Sequence, residues 1–307
     1  MTEGGLTIGV SLKMYFGQRQ TLDWCRSVAA LAVRHPAVAD GGAELFVLPQ
    51  APLIDPVRRI FDGTGVGVGA QNLSGEDRGA FTGEVSGALL SELGCRYAEV
   101  GHAERRRLFG EDDAAAAAKV AACWRNGLTP VLCVGESARL APSDAVRVVV
   151  AEAESVLAQA RTFDPGPEAQ SGAAARVTAW QRSRGRDTDT AIAGSRSQPS
   201  VGLGGPRGRG RRVILAYEPH WAIGQPEPAP TGHITTVTAG LRDWLASRGD
   251  LAGSRVIYGG SAGPGLLTAI GDSADGLFLG RFAHDPAAVE AILDEFIKQK
   301  AVTWRSV

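Results

Sequence analysis

The sequence predicts an α/β protein in which eight parallel strands and their crossover helices close into a barrel, the (β/α)8 architecture. Short apolar runs alternate strictly with longer helical segments, a pattern typical of parallel strands joined by helices. There are eight such runs in the 307 residues. Without one low-complexity segment, the length is close to the roughly 250 residues typical of such a barrel. We therefore expect one domain over residues 1–307.

The strand-like and helical runs follow one another in the order that this architecture requires. The strand-like runs are LTIGVSLKM (6–14), AELFVLP (43–49), GVGVGAQNL (65–73), YAEVGHAE (97–104), TPVLCVGE (129–136), VILAYEPHW (213–221), RVIYGGSA (255–262) and GLFLGRFA (276–283). The helical segments include TLDWCRSVAALAVRH (21–35), DDAAAAAKVAACWRNG (112–127), SDAVRVVVAEAESVLAQAR (143–161) and DPAAVEAILDEFIKQK (285–300). The last begins with Asp285-Pro286, an N-cap followed by proline at the first helical position.

Residues 163–211 interrupt this alternation. The segment is rich in Gly, Arg, Ser and Pro and has no sustained hydrophobic periodicity. We predict a low-complexity, largely disordered insertion within the barrel. Its arginines would permit a weak contact with nucleic acid, but a solvated loop is the simpler interpretation.

The composition excludes several classes of protein. With 32 basic and 33 acidic side chains, the chain has no charge excess that would indicate a nucleic-acid or membrane-surface partner. The four cysteines lack the spacing of a zinc site or a disulfide framework. No secretory signal or apolar run of membrane-spanning length is found, so we expect a cytoplasmic protein.

Reactive side chains occur at the ends of several predicted strands. Lys13 follows the first strand, His102 and Glu104 follow the fourth, and Glu218 follows the sixth. Each residue alone would more often be a surface charge, a helix cap or a satisfied core residue. Because barrel enzymes place their active sites at the carboxyl ends of the strands, their joint occurrence predicts an active site.

This set of residues suits the transfer of a proton next to a carbonyl group. Such chemistry needs a base, an electrophile and a cation that stabilises the developing negative charge. Glycine-rich turns after strands seven and eight, YGGSAG (258–263) and LGRFA (279–283), offer backbone N–H groups to a phosphate. There is no metal-binding motif and no complete dinucleotide fingerprint, so we expect no cofactor.

Several phrases make the chain resemble the triosephosphate isomerase family. They are LKM (12–14), GAFTGEVS (79–86), AEVGHAERRRLFGE (98–111), AYEPHWAIG (216–224) and YGGS (258–261). The resemblance implies a TIM barrel in which Glu218 is the base and His102 a neutral electrophile. It also implies that Lys13 attracts the phosphate and the enediolate, with Glu104 as its buried partner.

The resemblance further implies a lid and a phosphate site. The segment PHWAIG (219–224) would close over the substrate, so that the Gly224 N–H binds phosphate and water is excluded. Ser261 and Gly280 would supply further phosphate contacts, and Tyr258 would latch the closed lid.

Other implied features concern the core, the assembly and the reaction. Cys133 would pack in strand five, and the loop around Thr82 would reach into a second subunit, giving a homodimer. The implied reaction interconverts dihydroxyacetone phosphate and glyceraldehyde 3-phosphate, a step of glycolysis and gluconeogenesis.

Four departures from the family pattern put the substrate and the lid in question. Ser11 and Tyr15 stand where the family has asparagine, and the lid continues into QPEPAP (225–230), with three prolines. Arg281 replaces the second glycine after strand eight, where it could bind phosphate or obstruct it.

Three functions remain open from the sequence. The first is the triose phosphate isomerisation. The second is the same chemistry on a tetrulose phosphate such as L-erythrulose 1-phosphate, since serine at position 11 frees volume near the reacting carbon. The third, a catalytically silent barrel acting as a sensor or scaffold, has no chemical need for Lys13, His102 and Glu218 together.

Overall fold

Eight parallel strands form one closed barrel in the computed structural model, which describes residues 5–163 and 211–304. The strands follow chain order around the barrel, and the pairing of Thr7 with Gly276 closes it. They are β1 (Leu6–Ser11), β2 (Ala43–Leu48), β3 (Gly67–Ala70), β4 (Tyr97–Val100), β5 (Thr129–Val134), β6 (Ile214–Tyr217), β7 (Arg255–Tyr258) and β8 (Gly276–Leu279). The predicted (β/α)8 barrel is confirmed.

Helices lie between the strands along the chain. They are α1 (Gln18–Arg34), α2 (Pro36–Ala39), α3 (Ile54–Ile60), α4 (Gly87–Glu92), α5 (Ala103–Phe109), α6 (Asp113–Arg125), α7 (Pro142–Phe163), α8 (Thr231–Ala246), α9 (Leu266–Ile270) and α10 (Pro286–Trp304). The side chain of Asp285 accepts a hydrogen bond from the Ala287 N–H at 3.0 Å, as expected of an N-cap. Within the described residues, no helix has the length and apolar character needed to cross a membrane.

The barrel interior is filled by side chains that alternate along the strands. Gly9 makes room for two of them, because a Cβ atom at this position would lie 2.4 Å from the Phe46 ring and 2.7 Å from the Phe278 ring. Cys133 is buried in this layer, as predicted. The whole interior cluster consists of Phe46, Leu48, Tyr97, Val131, Cys133, Ile214, Ala216, Ile257 and Phe278.

A polar cluster lies inside the barrel at the amino-terminal ends of the strands. Glu44 pairs with Arg212 at 2.5 Å and accepts a hydrogen bond from the Tyr97 hydroxyl at 2.6 Å. Burial raises the pKa of Glu44, but these two donors outweigh it and hold the pKa below its ordinary value. Glu44 is therefore ionised and paired at this end of the barrel.

The flanks of the predicted insertion lie at this same end. Arg161, in the last turn of α7, pairs with Asp250 just before β7, at 2.7 Å. Arg212, just before β6, reaches Glu44. Both flanks are thus opposite to the carboxyl ends of the strands. Residues 164–210 lie outside the described residues, and the insertion itself stays a prediction.

Candidate active site

Lys13, His102 and Glu218 converge at the carboxyl ends of β1, β4 and β6. The Lys13 Nζ atom lies 3.2 Å from His102 Nε2, which lies 3.2 Å from Glu218 Oε2. Barrel closure brings together Lys13 and His102, which are 89 positions apart in the chain. This arrangement matches the constellation predicted from the strand ends.

Glu218 presents a buried carboxylate to the site. The residue is only 4 % exposed, and its Oε2 atom lies 3.2 Å from His102 Nε2. Burial raises its pKa, but His102 and Lys13 outweigh this and hold the pKa of Glu218 below the ordinary value. The oxygen is therefore ionised and free to accept a proton from a ligand.

A glycine on the neighbouring strand leaves space for this carboxylate. A Cβ atom on Gly259 would lie 2.6 Å from Glu218 Oε1 and 2.7 Å from its Cγ atom, closer than packed atoms allow. Gly259 follows β7 directly. The position of the carboxylate thus depends on the absence of a side chain at residue 259.

His102 caps helix α5 with its ring. The Nδ1 atom accepts a hydrogen bond from the Glu104 N–H at 3.1 Å, so the ring carries a lone pair there. Burial lowers the pKa of His102, but Glu218 and Glu99 raise it to about 9. Burial thus favours the neutral ring, whereas the two carboxylates favour the protonated ring. We favour the neutral ring with its proton on Nε2, because Nδ1 accepts the Glu104 N–H and Nε2 faces the Glu218 Oε2 acceptor at 3.2 Å.

Lys13 supplies the positive charge. Burial lowers the pKa of Lys13, but the carboxylates of Glu218, Glu99 and Glu104 raise it above its ordinary value. The Glu104 carboxylate lies 3.4 Å from Nζ, yet its side chain is 37 % exposed. Glu104 is therefore a partner of Lys13, as predicted, but it is half-buried and not buried.

Glu99 is a further buried carboxylate of the site, and the strand-end search missed it. It is 3 % exposed and accepts a hydrogen bond from Ser11 Oγ at 2.9 Å. Ser11 itself is 2 % exposed and engaged with this partner. Alternation along YAEV places Glu99 on the same inward face as Tyr97, and this signal could have identified it.

The lid, residues 219–230, lies against the rim of the barrel. Trp221 Nε1 donates to Glu136 at 2.9 Å, and Ser261 Oγ donates to two lid carbonyls at 2.9 and 3.0 Å. The Ala229 N–H donates to the Tyr258 hydroxyl at 3.1 Å. Tyr258 therefore contacts the far end of the lid, where a latch is expected.

Glu136 is a second carboxylate that the strand-end search missed, although it follows β5 closely. It is 2 % exposed and accepts hydrogen bonds from the Tyr217 hydroxyl at 3.2 Å and from Trp221. His233 Nε2 lies 3.0 Å from the same carboxylate. This buried cluster anchors the first half of the lid.

The residues predicted to bind phosphate surround one cavity. Gly224, Ser261 and Gly280 line a space of about 80 Å³, together with Lys13 and Arg281. The backbone of Ser261 has φ = 56°, a left-handed conformation that is unusual outside glycine. Three backbone segments and two positively charged side chains thus line the cavity.

Arg281 contacts the lid. Its Nη2 atom donates to the Gly224 carbonyl at 3.0 Å, so the guanidinium spans from the end of β8 to the lid. Arg281 thus reaches the lid, and whether it binds or obstructs phosphate stays a prediction. The residue bridges two loops that are 57 positions apart.

Comparison with known proteins identifies the family. The family model for triosephosphate isomerase matches residues 6–165 and 186–296. The chain belongs to the triosephosphate isomerase family. It is an isomerase family, so the kind of enzyme predicted from the sequence is supported.

The relatives within this family carry more than one name. The chain is 48 % identical over 295 residues to an L-erythrulose-1-phosphate isomerase of Pectobacterium atrosepticum, covering 96 % of this chain and 97 % of that protein. It is 35 % identical over 258 residues to a triosephosphate isomerase of Symbiobacterium thermophilum, covering 82 % and 83 %. A probable triosephosphate isomerase 2 of Listeria monocytogenes is 28 % identical over 297 residues, covering 95 % and 98 %.

Proposed function

We propose that this protein isomerises a tetrulose phosphate, with L-erythrulose 1-phosphate as the candidate substrate. The observation that carries the proposal is the 48 % identity, over nearly the whole of both chains, to a protein of that name. The arrangement of Lys13, His102 and Glu218 supports the reaction type, because it offers a base, an N–H donor and a cation at one point.

The reaction begins at the carbon next to the carbonyl group. L-Erythrulose 1-phosphate has its ketone at C2 and an H–C–OH group at C3. Glu218 Oε2 removes the C3 proton, and the electron pair forms the C2–C3 double bond as negative charge develops on the C2 oxygen. The His102 Nε2–H and the Lys13 ammonium stabilise this charge.

The same residues complete the transfer. The C3 hydroxyl loses its proton and becomes the new carbonyl group, while the C2 oxygen gains a proton through His102. Glu218 returns its proton to C2. Atoms and charge balance, and the product is a second ketose phosphate with its carbonyl at C3. With a triose substrate, the same steps would give an aldose.

The second candidate is the triose phosphate reaction. It is supported by relatives such as the triosephosphate isomerase of Symbiobacterium thermophilum, which is 35 % identical. A silent barrel is disfavoured, because it has no chemical need for the buried contacts of His102 with Glu218 and Lys13, each at 3.2 Å. Buried charged pairs of this kind are weak evidence of a role in stability.

The test is an assay of the purified protein with L-erythrulose 1-phosphate and dihydroxyacetone phosphate in parallel. We expect the higher kcat/KM with the tetrulose phosphate. The Glu218→Gln variant should lower kcat by about 10²- to 10⁴-fold, the usual effect of losing a positioned base. A higher kcat/KM with the triose would reject the tetrulose assignment, and full activity of Glu218→Gln would reject the mechanism.

A further inference from the structure

Glu99 is a buried carboxylate to which the proposed mechanism assigns no role. It lies on β4, two residues after Tyr97 and on the same inward face. Ser11, at the end of β1, and Glu218, just after β6, lie at the same carboxyl end of the barrel. Glu99 is 3 % exposed, much like His102 and Glu218, which are each 4 % exposed. It therefore belongs to the floor of the same site.

The two oxygens of Glu99 have different surroundings. Oε2 accepts the hydrogen bond from Ser11 Oγ at 2.9 Å. Oε1 lies 3.9 Å from His102 Nε2, which is beyond hydrogen-bonding distance. Burial raises the pKa of this carboxyl above its ordinary value. The bond from Ser11 orients the carboxyl group, so that Oε1 faces His102 without a hydrogen bond to it.

A purely structural role does not explain this carboxylate. The Lys13 ammonium is bonded to Glu104, not to Glu99. A buried carboxyl with one neutral hydroxyl donor is costly to desolvate and is a poor source of stability. Ser11 holds Glu99 in place from 88 positions away in the chain.

The tetrulose phosphate offers the missing partner. It differs from the triose ketone by one CH₂OH group on the reacting carbon, the carbon that Glu218 deprotonates. We propose that Ser11 and Glu99 form the subsite for this hydroxymethyl group, with Ser11 orienting the carboxyl and Glu99 Oε1 accepting the hydroxyl hydrogen. This inference rests on the proposed function. It makes Glu99 a specificity-determining residue, since the triose has no group to place there.

The test compares two substrates in matched variants. Glu99→Leu removes both acceptors at similar volume, and Ser11→Ala removes only the orienting hydroxyl. We expect kcat/KM for L-erythrulose 1-phosphate to fall by about 10- to 100-fold in Glu99→Leu, the scale of one hydrogen bond to a charged group. The value for dihydroxyacetone phosphate should fall by a smaller factor, because Glu99→Leu removes a charge near His102 and Lys13 but no hydrogen bond to the triose. Circular dichroism shows whether the variant is folded. Ser11→Ala should lower the ratio of the tetrulose kcat/KM to the triose kcat/KM as well, by a smaller factor.

Tyr97→Phe is the control. It removes a hydroxyl from the same inward face, but that hydroxyl bonds to Glu44 at the other end of the barrel. The ratio of the two kcat/KM values should stay as in the wild type.

The possible outcomes separate this inference from the proposed function. If the wild type turns over the tetrulose phosphate but Glu99→Leu lowers both kcat/KM values equally, or neither, the subsite is rejected and the function stands. If the wild type does not turn over the tetrulose phosphate, both are rejected. If Glu99→Leu does not fold, the ratio measured for Ser11→Ala decides, and an unchanged ratio overturns the inference.

Discussion

Lys13 is held in a backbone conformation that a lysine does not normally adopt. Its φ angle is 48°, in the left-handed region, which costs on the order of 1–3 kcal/mol. Gln71 Nε2 donates to the Lys13 carbonyl at 3.0 Å and to the Leu48 carbonyl at 2.9 Å. These contacts fix the lysine backbone against β2, so that the ammonium points to His102 and Glu104. The strained backbone is thus that of Lys13, the residue that places a positive charge in the site.

Gly259 should be essential for the position of the base. In Gly259→Ala, the new methyl group would lie 2.6 Å from Glu218 Oε1, and the carboxylate must move away. We expect kcat to fall by about 10²-fold, a usual effect of a shift of about 1 Å in a catalytic group. The measurement is steady-state kinetics, with circular dichroism to show that the fold is retained.

Gly249→Ala is the matched control for this substitution. A Cβ atom on Gly249 would meet no atom within 4 Å, and the residue lies before β7, at the opposite end of the barrel. Its kcat should equal that of the wild type. If Gly259→Ala also kept the wild-type kcat, the dependence of Glu218 on this glycine would be refuted.

At the scale of elements, the lid is fastened to the rim at several points. Its first half is bonded to Glu136 through Trp221, and its far end to Tyr258 through the Ala229 N–H. The proline-rich hinge, residues 225–230, ends at Pro230, directly before α8. Because proline fixes φ, this hinge has fewer backbone conformations than a chain without proline. Because the hinge is restricted, the hydrogen bonds of Trp221 and Ala229 are sufficient to fix the position of the lid.

Arg281 should stabilise the lid in this position. In Arg281→Met, the apolar stem is kept but the donor to the Gly224 carbonyl is lost. We expect lid amides in residues 219–230 to exchange about tenfold faster, corresponding to about 1–2 kcal/mol for one charged hydrogen bond. Hydrogen–deuterium exchange with mass spectrometry measures this, and KM for the phosphorylated substrate should rise in parallel.

Arg26→Met is the matched control for the lid. Arg26 forms an exposed pair with Asp23 on α1, away from the lid. Its substitution should leave exchange in residues 219–230 unchanged. Equal lid exchange in Arg281→Met and the wild type would show that the Gly224 contact contributes nothing to lid stability.

At the scale of the whole molecule, the predicted insertion should be dispensable for catalysis. Its flanks lie at the amino-terminal end of the barrel, where Arg161 pairs with Asp250 and Arg212 with Glu44. The site lies at the other end. We expect replacement of residues 165–209 by a short Gly/Ser linker to preserve kcat/KM and to change Tm by only a few degrees. Loop length has a weak effect on stability, about 0.6 kcal/mol per doubling. A large loss of activity or Tm would contradict this.

The protein should form a homodimer through the rim that carries the site. Met14 is 85 % exposed, Phe81 46 %, Leu108 63 % and Phe109 67 %, and these residues follow β1, β3 and β4. Several large apolar side chains on one rim indicate a protein contact. Light scattering should report a dimer at micromolar concentration and a shift to monomer in Phe81→Asp.

Val33→Asp is the control for the dimer prediction. Val33 is 62 % exposed on α1, on a different part of the surface, and its substitution should leave the dimer intact. A wild-type protein that scatters only as a monomer would show that the rim does not mediate dimerisation.

The sequence by itself predicted the fold and the candidate catalytic residues. The alternation of strand and helix is a property of consecutive residues, and eight repeats of it are sufficient to indicate a barrel. Since parallel strands end at one rim, Lys13, His102 and Glu218 could be placed together without coordinates. Asp285-Pro286 likewise predicted the start of α10 from local chemistry alone.

Only the tertiary structure decided which partners these residues have. The bond from Ser11 to Glu99, the contact of Arg281 with Gly224 and the exposure of Glu104 each depend on distances between separate strands and loops. Those distances follow from the stagger of the closed barrel and the path of the lid. Periodicity along the chain carries no information about either, because it reports which face a side chain occupies, and not what lies opposite to it.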